Sequence, residues 1–200
     1  MPEVALRDWL TLLPKPELHV HALGAMRPST IVELARREDA GVLPTAERGA
    51  ADGFAFDDLT AFVEFFIGLF ELVKERDAFA RVTHELLEDA ARVGAKHVEV
   101  RWSPWSHLSR GVDEDAMFEG IRAGRDAAER AFDVTSRLIL TFPRTLPLDV
   151  AETTLAVAKR RVDEGVVGID IAGDESAAGA DPAFAPVFAE ARAAGLGLTA

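Results

Sequence analysis

The sequence predicts an α/β fold with a parallel sheet, and two regularities support that reading. Strand candidates rich in Val and Ile begin near residues 96, 134, 166 and 196, and an amphipathic segment of helical length fills each gap between them. Steps of about thirty to forty residues from strand to strand are those of βα units, whose crossover helices make neighbouring strands run parallel. The chain of 200 residues suits one domain with a substantial core, though it is shorter than the roughly 250 residues of a closed eight-stranded βα barrel.

Taken in order, a short segment Leu6–Leu13 comes first. Pro14 and Pro16 then forbid a helix and hold the chain extended. Leu18, His19, Val20 and His21 alternate as a strand does, and this first strand, at about 17–21, reads as buried. Pro28-Ser29-Thr30 reads as a helix start; Ile31, Leu34 and Ala35 repeat at helical spacing to about Glu38, where Gly41 can cap the helix. The interval from His19 to His97 is about twice as long as the later ones, which marks residues 42–75 as an insertion. Within it, residues 42–55, with Pro44, Gly49 and Gly53, read as a loop. The aromatic run that follows places positions 59, 62, 63, 66, 67 and 70 on one helical face. A further helix is expected from Asp77 as N-cap to Val93, with Gly94 beyond it.

Composition excludes several classes. There is no cysteine, so disulfides are absent and so is a zinc site built on one histidine and two thiolates. With 34 acidic against 22 basic side chains the formal net charge is −12, which repels polyanions and argues against nucleic acid as a partner. Met1-Pro2-Glu3-Val4 lacks the basic and apolar regions of a signal peptide, and no run approaches a membrane span. A cytoplasmic protein is therefore expected.

The sharpest chemical signal is His19-Val20-His21. Residues two apart on a strand share a face, so both imidazoles point the same way. Zinc accepts neutral imidazole nitrogen at about 2.0–2.1 Å, and a pair held on rigid backbone has already lost the entropy of coming together. On the second strand His97, Glu99, Arg101 and Ser103 share a parity. Glu99 and Arg101 should pair with each other or with a neighbour such as Asp170, since a lone charge inside a barrel is costly. Ser103 ends that strand and can reach a pocket. His107 reads as a solvated loop residue and His84 as structural. The third strand, Ser136–Phe142, ends in Pro143-Arg144 and offers nothing sharp; Asp174 and Glu175 read as capping residues.

Pro14-Lys15-Pro16-Glu17-Leu18-His19-Val20-His21, followed by Gly24-Ala25 and Arg27-Pro28-Ser29-Thr30, resembles the first-strand signature of the adenosine deaminase family of zinc amidohydrolases. Two further blocks agree in order, His97-Val98-Glu99-Val100-Arg101-Trp102-Ser103-Pro104 and Val167-Gly168-Ile169-Asp170-Ile171-Ala172-Gly173-Asp174-Glu175. The resemblance implies the first half of a (β/α)₈ TIM-type barrel, strands one to four and the start of five. It implies Zn²⁺ as cofactor with His19 and His21 as two of its ligands, and a small aminopurine as substrate. His21, Leu23, Gly173, Leu59, Phe62 and Ser103 then become candidate substrate contacts, with the Leu59–Phe70 helix as an apolar lid. Gly173 falls where the family brings a backbone N–H against the purine. The implied reaction is hydrolytic deamination of a 6-aminopurine, in which water activated by zinc adds at C6, a glutamic acid protonates N1 and ammonia leaves.

No catalytic residue of that scheme falls within the chain. The third zinc histidine, the zinc aspartate and the catalytic glutamate are expected after Ala200, so that two histidines alone should not hold zinc tightly. One departure bears on the substrate. After His-x-His the family usually has Leu-Asp-Gly, the aspartate meeting the sugar 5′-hydroxyl, where this chain has Ala22-Leu23-Gly24. Leu23 accepts no hydrogen bond, so a free base or a nucleoside with an apolar 5′ group is expected in place of adenosine. Two alternatives stay open: a barrel amidohydrolase acting on another C–N bond, and a deaminase-like binding protein without catalysis.

Overall fold

A computed structural model of the protein describes residues 6–175, 178–179 and 181–200; the reading of Met1–Val4 lies outside them. The chain opens with α1 (Leu6–Leu12), β1 (Lys15–His21), a 3₁₀ turn at Leu23–Ala25 and α2 (Pro28–Arg37). It continues through α3 (Leu43–Asp52), α4 (Leu59–Leu69), α5 (Arg76–Arg92), β2 (Ala95–Trp102), α6 (Pro104–Leu108) and α7 (Glu114–Ala131). It then runs through β3 (Thr135–Pro143), α8 (Leu148–Arg160), β4 (Val166–Ala172), α9 (Ala185–Ala193) and β5 (Gly197–Thr199).

The five strands form one sheet in the order β1-β2-β3-β4-β5, all parallel. Sequential order with a helix between neighbours gives the parallel sheet that the spacing predicts and the half of a βα barrel that the resemblance implies. The strand starts fall within two residues of those read from the sequence, because a run of Val and Ile between turn residues has few other ways to bury itself. One face of the sheet meets the helices through Val98, Val100, Trp102, Leu138, Leu140, Phe142 and Ile169, each at most 2% exposed. Burying a side chain of this size contributes roughly 1.5–3 kcal/mol. The other face carries His19, His21, Arg101, Thr141, Asp170 and Thr199, and the site is built there.

Helix α7 lies against α5 at backbone distance. A Cβ added at Gly120 would stand 2.3 Å from the Arg76 carbonyl oxygen, and one at Gly124 would stand 2.1 Å from that of Ala80. These two glycines permit the close approach.

Four local readings are corrected. Residues 42–55 are largely the helix α3, with Pro44 in its first turn, where a missing N–H costs nothing. The helix α2 ends at Arg37 with Glu38 as C-cap, short of Gly41. Helix α5 starts one residue before Asp77, with Glu75 at the N-cap, so Asp77 sits in the first turn, where its charge favours the helix dipole. Within these 200 residues β1 stands at one end of the five-strand sheet and is largely exposed, Leu18 at 53%.

Candidate metal and substrate site

The site is assembled at the carboxyl ends of the strands. His19 and His21 project to one side of β1 with ring centroids 5.4 Å apart, as period-two geometry requires. The backbone is fixed there by Ala22 N–H donating to the Arg101 carbonyl at 3.0 Å. His19 is exposed and His21 half-buried. Burial pushes the His21 imidazole below its ordinary value; nearby Asp170 pulls it up, and His19 and Arg101 add to the depression. A neutral imidazole is the form that binds a metal.

Asp170 comes to the same place from β4. One ligand atom from each of His19, His21 and Asp170 lies within 4.8 Å of the other two. Asp170 is fully buried, and so is Arg101 of β2, whose Nε donates to Asp170 Oδ2 at 3.2 Å. Arg101 therefore pairs with Asp170 and leaves Glu99. Its Nη1 donates to the Leu18 carbonyl at 2.7 Å and its Nη2 to Thr199 Oγ1 at 3.2 Å. Thr199 in turn donates to Asp170 Oδ1 at 2.7 Å, and Thr141 to Oδ2 at 3.3 Å. One guanidinium thus ties β1, β2, β4 and β5 together across the inner face.

The other predicted site residues divide. Phe66 of α4 stands edge-on to His21 at 6.1 Å, and Phe62 lies 5.9 Å from Phe66, so an aromatic chain leads from α4 to the histidine pair. Phe62 is 40% exposed and Leu59 is 54% exposed, whereas Leu69 at the far end of the helix is buried. The last turn of α4 is core, and its first turns present Leu59 and Phe62 to the surface. Leu23 is 3% exposed and belongs to the core cluster, so its side chain is packed against apolar neighbours.

Ser103, at the N-cap of α6, is engaged with Ser106, the two hydroxyl oxygens 2.9 Å apart. Gly173 follows β4 with φ +117°, a conformation that side chains with a Cβ rarely adopt. A Cβ there would meet Arg144 Cγ at an ordinary 3.5 Å, so the backbone angle and not crowding selects glycine. Glu175 receives Arg144 Nη2 at 3.2 Å as an ion pair; the segment that it and Asp174 are expected to cap begins at residues 176–177, outside the described residues.

His107 corrects the sequence reading most sharply. It lies in α6, is fully buried, and packs against Phe70, Phe79 and Trp102 at centroid distances of 5.0, 4.9 and 5.7 Å. Among the described residues neither ring nitrogen makes a hydrogen bond of good geometry; the Val73 backbone nearby raises its pKa, but burial outweighs it and pushes the value down to about 3. Its position just past a strand end suggests solvent; the aromatic cage comes from the C-cap of α4, from α5 and from β2, which only the fold brings together. Asp170 is legible in the sequence as a lone acid in an apolar strand, but its place beside the histidines is not.

The family model described as Adenosine deaminase matches residues 14–200. The chain belongs to the adenosine deaminase family. Among curated members, an aminodeoxyfutalosine deaminase of Streptomyces coelicolor is 34% identical over 193 residues, covering 96% of this chain and 50% of the relative. An adenine deaminase of Bordetella avium is 34% identical over 194 residues, covering 96% and 60%. An amidohydrolase structure from Burkholderia ambifaria with bound Zn superposes with a TM-score of 0.84 at 30% identity, covering 98% of this chain and 54% of that one. The chain thus spans about half the length of the family members it matches.

Proposed function

We propose that the protein is a zinc-dependent hydrolytic deaminase of a 6-aminopurine base or nucleoside, with His19 and His21 as two of the metal ligands. The single observation that carries this reading is the joint projection of the two imidazoles, with the buried Asp170 carboxylate beside them. The donor set suits zinc, which takes imidazole nitrogen and carboxylate oxygen. The named relatives are deaminases of adenine and of aminodeoxyfutalosine, which supports an aminopurine-like substrate. When bound, zinc lowers the pKa of water to near 7 and so supplies a nucleophile at neutral pH.

The chain's own residues hold the metal and shape the pocket around it. Half-burial keeps His21 neutral and ready to donate a lone pair. Phe62 and Phe66 supply an apolar wall beside the histidines that excludes water from a bound ring. Gly173, at the end of β4, offers main chain without a Cβ to the flat face or edge of a purine. The third histidine, the aspartate ligand and the proton-shuttling glutamate are assigned to residues outside the 200, in keeping with the half-length match to the relatives.

Leucine at 23, packed in the core, leaves no carboxylate there to accept a sugar 5′-hydroxyl, which favours a substrate that makes no such demand, a free base or a 5′-alkylthio nucleoside. Ammonia release by the full-length enzyme from adenine, adenosine and a 5′-alkylthioadenosine, with and without chelator, tests both parts. Loss of activity on chelation is expected, with adenosine the poorest substrate. Activity that survives complete zinc removal sinks the metal reading, and a clear preference for adenosine sinks the Leu23 reading.

A further inference from the structure

We propose that Arg144 is a positioning residue that holds the Gly173 backbone in the orientation from which its N–H meets a purine ring nitrogen; this rests on the reading of Gly173 as a substrate contact in the proposed deaminase. Glycine has more backbone freedom than any other residue, and Gly173 sits at φ +117°, a conformation that side chains with a Cβ rarely adopt. A donor aimed at a substrate has to be held within roughly 0.5 Å and 10–20° of its working geometry. Gly173 does not supply that order itself. Arg144, the residue after β3, meets the turn on both sides of the glycine. Its backbone N–H donates to the Ala172 carbonyl at 2.8 Å, one residue before. Its Nη2 donates to Glu175 Oε1 at 3.2 Å, two residues after. Between these anchors its Cγ stands 3.5 Å from where a Cβ on Gly173 would be.

The simpler account is an ion pair between Arg144 and Glu175 that serves stability alone. The unequal burial of the partners speaks against it. The Arg144 side chain is 9% exposed and that of Glu175 80% exposed. Their one bond, at 3.2 Å, is longer than the roughly 2.7–2.9 Å of a strong charged pair, and a pair with so solvated a carboxylate contributes little. Arg144 Nε is buried with no hydrogen-bond partner among the described residues, and a buried donor left unsatisfied costs more than an exposed pair returns. The guanidinium is thus placed for the contacts of its stem and Nη2 with the turn, at the expense of its own hydrogen bonding. Strand register sets this up. Pro143 of β3 stands opposite Ala172 of β4, so the next residues, Arg144 and Gly173, leave the sheet side by side at its carboxyl edge, the end at which β1 carries His21.

The test is steady-state deamination by the full-length enzyme and its Arg144→Ala, Arg144→Lys and Glu175→Gln variants. The substrates are a 6-aminopurine and its 3-deaza and 7-deaza analogues, in each of which one ring nitrogen becomes C–H. The parent is expected to lose about tenfold in kcat/KM on one of the two analogues, the worth of one hydrogen bond. Arg144→Ala should raise KM for the unaltered purine by about tenfold, hold kcat within about threefold, and lose the parent's discrimination against that analogue. Lysine keeps a charged stem directed at Glu175, so Arg144→Lys should recover most of both. A role in folding alone lowers the yield of active enzyme and leaves KM and the analogue ratio where they are; that result overturns the proposal. Should Arg144→Ala not fold, Glu175→Gln keeps the arginine and removes one anchor. It is expected to raise KM and shrink the analogue ratio, and unchanged values for it overturn the proposal. A parent that treats both analogues like the unaltered purine sinks the contact at Gly173 and the proposal with it, while its deaminase activity leaves the wider reading standing.

Discussion

Arg101 and Asp170 lie on strands separated by β3 and meet on the inner face with Nε 3.2 Å from Oδ2, both side chains at most 2% exposed. Removing one partner of such a pair leaves an uncompensated buried charge, which costs about 3–5 kcal/mol. Arg101→Met is therefore expected to destabilise the chain by that amount in urea unfolding. The double variant Arg101→Met with Asp170→Leu should be less destabilised than the sum of the two single changes. Strict additivity would mean that the two groups do not act as a unit.

The buried His107 makes an acid-sensitive element. Its folded pKa of about 3 lies below the unfolded value near 6.5, so the unfolded chain binds the proton first. Stability is then complete above about pH 6.5 and falls as the pH drops toward 3. Between pH 7.5 and pH 5 this one group should remove about 2 kcal/mol of unfolding free energy. His21, depressed in the same direction, adds to the same window. Carboxylates such as Asp89, held low by Arg27, lose their contribution only below the ordinary carboxylate range. Replacing His107 by Leu should flatten the pH 7.5 to 5 slope in urea titrations, and an unchanged slope would assign it to other groups.

At Gly124 two effects oppose each other. Alanine is better than glycine inside a helix by about 0.8–1 kcal/mol, but its Cβ would stand 2.1 Å from the Ala80 carbonyl oxygen and 2.9 Å from its carbon, both backbone. Backbone cannot swing aside, so the clash decides the sign. Gly124→Ala is expected to lose about 1–3 kcal/mol and to lower the melting temperature. A rise would show that α5 and α7 sit farther apart.

Leu23 carries a warning for redesign. The change Leu23→Asp, suggested by the family pattern, would place a carboxylate at a position 3% exposed among Ala22, Met26 and other core residues. A buried polar group without a partner costs about 1–3 kcal/mol, and more when charged. The variant is expected to unfold at lower urea concentration at pH 7 than at pH 4, where the carboxyl is largely neutral, once the parent's own acid slope is subtracted. Equal stability at both would mean that the 3₁₀ turn opens to let the side chain reach water.

The sequence by itself determined the periodic half of this protein. Alternation in Val98–Trp102, Leu138–Phe142 and Val166–Ile171 fixed which side chains face the helices, because side-chain direction on a strand follows from chain position alone. The same rule put His19 and His21 on one side of β1, and the ordered motifs carried the family. Only the tertiary structure decided what stands opposite them. Asp170 is remote in sequence from His21, and Arg101 reaches Leu18 and Thr199 across the sheet, neighbours set by strand order and register and not by spacing. His107 escapes a sequence reading for the same reason: burial is supplied by whatever packs on a residue, and Phe70 and Phe79 come from elements that no local pattern ties to it.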